Sequence, residues 1–153
     1  MISKKFASIM MIVGPILTLI MAFTGPLSPN AGVSWSDTQA VLGELAAANT
    51  DWAQINFLLL SIGLIMQVLG IRYFVNSMNS NDSVANYSLT GGMAMIMGVI
   101  VVFGEGLFYG AAANAAAIAG GAGMGTAASM WAGGQAFGAG GSILLFLGMA
   151  LVS

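Results

Sequence analysis

The sequence predicts an all-α fold: an integral membrane four-helix bundle, with a short amphipathic interfacial helix between spans one and two. Three observations carry this reading. Of 153 residues, 58% are hydrophobic and only 5% are charged, whereas a soluble domain carries about 25% charged residues. So little charge could not give a soluble fold a polar surface. The mean hydropathy is +0.94, and the apolar residues gather in long runs separated by polar or Gly/Pro-rich stretches. The basic residues are confined to Lys4, Lys5 and Arg72, a placement that one membrane orientation explains. The length suits a single membrane domain over residues 1–153.

The first span is expected at about 6–23. Lys4 and Lys5 precede an apolar run from Phe6 to Phe23. A charged start also fits a signal peptide. The run is longer than a usual signal core, near the minimum for a span, and no convincing cleavage site follows. A retained helix is therefore expected, with Pro15 tolerated inside it because neighbouring helices can satisfy the freed carbonyl. Pro26 and Pro29 then mark a loop.

The interfacial helix is expected at about 36–48. Ser36 with Gln39 three residues later has the form of a capping box. Val41, Leu42 and Leu45 form one apolar stripe, with Asp37 and Glu44 pointing elsewhere. The segment is too short and polar to span, so it lies on the membrane surface or caps the bundle. Trp35 and Trp52 bracket it as interfacial anchors.

The second span is expected at about 52–75, with Asn49 or Thr50 as its cap. Arg72 near its end is placed to reach the headgroups as a third anchor. A short polar loop follows. The third span is expected at about 88–112 and the fourth at about 128–152, with the Ala/Gly-rich stretch from Ala111 to Gly125 as a linker whose start can extend the third helix. With the N-terminus inside, spans one to four place Lys4, Lys5 and Arg72 all on the cytoplasmic side, and the acidic loop with Asp37, Glu44 and Asp51 outside. Both termini are then cytoplasmic in a multi-pass protein of a prokaryotic plasma membrane. Asn81 and Asn86 each open a glycosylation pattern, but on this topology they face inward and read as chance matches.

With no Cys and no His, disulfides, thiolate chemistry, the usual zinc and haem ligands and histidine acid–base catalysis are all removed. No cofactor, metal or catalytic residue is assigned, and the chain is read as a non-enzyme. There is no basic patch for nucleic acid. Among the 12 methionines, Met93, Met95 and Met97 invite comparison with a copper site. Helical geometry puts Met95 almost opposite the other two, which favours apolar filling.

Glu105 is the chemically conspicuous residue, a carboxylate inside "VVFGEGLFYG". Counted from Leu89 it lies roughly 24 Å along its span, in the outer third, or deeper if the helix continues past Asn114. A polar intramembrane cluster of Glu105, Tyr109, Gln135 and Asn56 is expected from matching depth, with Tyr109 one turn from Glu105. It serves as an interhelical hydrogen-bond clasp, as a proton or cation site, or, with Glu105 facing outward, as a pairing point for a partner protein. Gly106 and Gly110, and likewise Gly134 and Gly138, form small-xxx-small pairs for close helix packing.

The stretch from about 13 to 75 resembles uncharacterised small four-span prokaryotic membrane proteins of unknown function. Ala47, Ala48, Asn49, Trp52 and Asn56 carry the likeness. The resemblance implies a fold and no activity. The expected role is a non-catalytic accessory subunit of a larger integral-membrane complex, with other membrane subunits and lipids as partners. The alternative is a small transporter or channel subunit using Glu105.

Overall fold

A computed structural model describes residues 4–48, 50–78, 82–118 and 122–152. Asn49 as a helix cap, Asn81 of the glycosylation pattern and part of the Ala/Gly linker lie outside the described residues. The fold of the described residues is all-α: α1 Lys4–Thr24, α2 Thr38–Ala47, α3 Thr50–Met78, α4 Asp82–Ala116 and α5 Met124–Val152, with a 3-10 turn at Pro29–Ala31. Four of these, all but α2, are long and apolar enough to cross a membrane.

The boundaries correct the sequence reading at three points. The capping residue of α2 is Asp37, not Ser36. Its carboxylate accepts from the Ala40 backbone N–H at 3.1 Å, while Ser36 shares a hydroxyl bond with Ser34. The polar loop after the second span is mostly helical, because α3 runs to Met78 and α4 starts at Asp82. The start of the alanine stretch does extend the helix, past the expected end at about 112: α4 continues to Ala116. Alanine is the strongest helix former, and Ala112, Ala113, Ala115 and Ala116 are buried beneath α2.

Antiparallel α1 and α3 pack through missing side chains. A Cβ on Gly14 would stand 2.8 Å from the Gly63 carbonyl, and one on Gly63 would meet the Thr18 backbone N at 2.9 Å. Close backbones are then tied by polar side chains. Gln67 Nε2 donates to Thr18 Oγ1 at 2.8 Å, and Thr18 Oγ1 donates to the Gly14 carbonyl at 3.0 Å. Packing, rather than hydrophobic transfer, is what holds helices together in lipid.

The α4–α5 pair repeats the device along its whole length. Gly91 and Gly148 approach each other, as do Gly98 and Gly141. Gly134 and Gly138 of α5 receive the Tyr109 ring and the Glu105 carboxyl of α4. Gly106 and Gly110 of α4 instead face α3, against Phe57, Ser61 and Gln54. The two glycine pairs singled out in sequence therefore serve two different interfaces.

Interfaces join α1 to α3, α3 to α4 and α4 to α5, while α1 and α5 form no packed interface among the described residues. The bundle is a row of helices, open on its fourth side. At the end of the row away from Lys4 and Arg72, α2 packs across α4 and α5. It caps the bundle rather than lying free on a surface, since Val41, Leu42 and Leu45 are fully buried with Trp131, Tyr109 and the α4 alanines.

Candidate functional site: a carboxylate under an aromatic cap

Glu105 lies deeper than the outer third. Because α4 extends to Ala116, Glu105 is only about 5 Å past the middle of the apolar stretch Tyr87–Ala116. Its carboxyl rests against Gly138, which is midway along the apolar span Met124–Val152. Any β-carbon at position 138 would collide with that carboxyl.

Three of the four residues expected in the polar cluster come together. The Tyr109 hydroxyl donates to Glu105 Oε1 at 2.7 Å. Gln135 Nε2 donates to the Tyr109 oxygen at 2.8 Å. Helical spacing makes this possible: Glu105 and Tyr109 are one turn apart on α4, and Trp131 and Gln135 are one turn apart on α5. The hydrogen bonds thus run from the exposed Gln135 inward to the half-buried carboxyl. Asn56 is not part of the chain. It is 1% exposed and donates to the Met21 carbonyl at 3.0 Å, clasping α3 to α1. Depth matching does not fix the rotation of α3 about its axis, which turns Asn56 toward α1.

Aromatic rings close over the chain. Tyr109 stacks on Trp131 with centroids 4.4 Å apart, and Phe57 lies 5.4 Å from Tyr109. Trp35 meets Tyr109 edge-on at 5.9 Å and Trp131 at 5.4 Å. Each such pair contributes on the order of 1 kcal/mol beyond area burial. Trp35, expected as an interfacial anchor, is therefore the lid of this cluster, with 45% of its surface still exposed. Trp52 joins helices, its indole N–H donating to the Thr24 carbonyl at 3.2 Å. The Arg72 stem lies over Gly92, its Cγ and Cδ 3.6 Å from where a Cβ would be. Trp131 and Phe57 are not among the residues that the sequence marks as a site. The one-turn spacing of Trp131 to Gln135 was the available signal for the first.

Two cavities meet at the cap. A small one of about 100 Å³ is walled by Trp35, Phe57, Leu60, Val102, Glu105 and Tyr109. A larger groove of about 440 Å³ runs from Met21 and Gly25 past Val33 to Asn56. They share Trp35, Phe57 and Leu60 as a common wall. The methionine trio is split by burial, with Met95 at 1% exposure and Met93 and Met97 facing outward. No protein-family model, curated protein or solved structure matches the chain.

Proposed function

We propose that this chain is a non-catalytic subunit of a larger integral-membrane assembly, which it stabilises by helix packing. The observation that carries this reading is the open row: α1 and α5 form no packed interface among the described residues. A row whose first and last long helices do not meet leaves helix faces on which another membrane subunit can pack. The proposed setting is a prokaryotic plasma membrane with both termini cytoplasmic, which puts Lys4, Lys5 and Arg72 on the inside. Its partners are other membrane subunits and lipids. Solubilisation in mild detergent followed by native electrophoresis tests the reading. A species much larger than the 15.5 kDa chain, containing other subunits, is expected; a free monomer alone would sink it.

The cavity that reaches Glu105 favours a second reading, a small transporter or channel subunit with Glu105 as its proton or cation site. On that reading, Glu105→Gln abolishes flux in proteoliposomes while expression and fold persist. Unchanged flux in the variant would overturn it.

A further inference from the structure

We infer that the cleft beneath Trp35 binds a lipophilic ammonium, its cationic head against Glu105 and its chain along the groove toward Met21. This deepens the second reading above, by naming the class of cation that Glu105 takes.

The head site is defined by charge and rings. Glu105 lines the inner cavity together with Trp35, Phe57 and Tyr109. The chain's cations are all distant from it. Lys4 and Lys5 begin α1, and Arg72 packs at Gly92, about 20 Å along α4 from Glu105. The carboxyl therefore has no internal counter-charge among the described residues, and an incoming cation supplies one. Attraction between unit charges grows several-fold as the effective dielectric falls from that of water. Aromatic faces add to this: a cation within about 6 Å of a Trp or Tyr ring is attracted by its quadrupole, and quaternary ammonium ligands are recognised by such cages. The rings around Glu105 are already held together, with Tyr109 stacked on Trp131 and edge-on to Trp35. Little ordering is left for binding to impose.

The tail site is defined by size and polarity. The outer groove of about 440 Å³ falls within the range of roughly 300–1,000 Å³ typical of small-molecule pockets. Its lining is apolar apart from Asn56, whose amide is already committed to the Met21 carbonyl. Trp35, Phe57 and Leu60 line both cavities, so the head and tail sites adjoin, and the half-exposed Trp35 ring is the part of their common wall that the proposed ligand displaces to reach from one into the other. Uncharged amphiphiles fit the groove but leave the carboxyl unpaired.

The test uses the full chain in nanodiscs of zwitterionic lipid, titrated calorimetrically with dodecyltrimethylammonium and, separately, with dodecanol. Saturable binding of the ammonium near one per chain is expected, at least tenfold weaker in Glu105→Gln, with no saturable binding of the alcohol. Equal affinity in wild type and Glu105→Gln, equal binding of the alcohol, or no saturable binding by wild type would each overturn the inference. Leu60→Trp fills the shared wall without touching Glu105, and serves if Glu105→Gln does not fold. Loss of binding in a variant with an unchanged melting curve is expected, and retained affinity overturns the inference. Binding is read here without flux. Binding without transport sinks the transporter reading alone, and transport without ammonium binding sinks the ligand class alone.

Discussion

Single atoms decide how α4 and α5 fit, and the glycines of α5 sort by what a methyl group would meet. At Gly140 nothing lies within 4 Å, so Gly140→Ala should be neutral or stabilise slightly, since alanine favours a helix by up to about 1 kcal/mol. At Gly138 the obstacle is the Glu105 carboxyl, the free end of a flexible side chain. Gly138→Ala should push it aside and break its bond with Tyr109. Interhelical hydrogen bonds in membranes average about 0.6 kcal/mol, so the stability loss should be of that order, with ammonium affinity falling as in Glu105→Gln. At Gly141 the obstacle is backbone, the Gly98 carbonyl at 2.9 Å. Gly141→Ala must separate the helices and should cost about 1–3 kcal/mol, as overpacking does. Denaturation of the three variants in mixed micelles checks the order. Gly140→Ala as damaging as Gly141→Ala would contradict the packing described.

Between helices, α2 is the element whose role depends most on context. Its Val41, Leu42 and Leu45 are 1% exposed or less and seal one end of α4 and α5. Leu45→Ala should therefore cost about 2–5 kcal/mol, the range for a buried leucine. It should also redden the fluorescence of Trp131, which sits in the same cluster. Glu44→Ala, on the exposed face one residue away, should stay within about 0.5 kcal/mol. Equal effects of the two would mean that α2 does not dock. The apolar stripe of α2 was legible because its spacing is helical. What it packs against was not, because its partner looked like a low-complexity linker. Polyalanine reads as featureless until something covers it, and here the cover is α2 itself. The same limit explains the polar cluster. Glu105 and Tyr109 share a helix, so their pairing follows from spacing alone. Gln135 and Asn56 sit on other helices, whose rotation about their own axes no local pattern fixes. One of the two faces Tyr109 and the other faces Met21.

At the scale of the whole molecule, the row of four long helices leaves one side unclosed. Composition could not reveal this, because a helix face meeting lipid and one meeting another apolar subunit use the same residues. Orientation is different, since three cations at one end of the row are a physical bias against crossing the membrane. The row is antiparallel, so Lys4, Lys5 and Arg72 share an end, while α2 and the Trp35 lid occupy the other. The chain has no cysteine, which makes it a clean background for labelling. Ser36→Cys, beside the exposed Trp35, should react with a membrane-impermeant maleimide added to intact cells. Asn76→Cys, exposed near the other end of α3, should react only once the membrane is opened. Substitution at Ser36 removes only its surface bond with Ser34, so folding should be unaffected. The reversed pattern would put the basic end outside. It would also turn the lid and the cleft toward the cytoplasm, so that an ammonium ligand would approach the headgroup end of the groove from inside the cell.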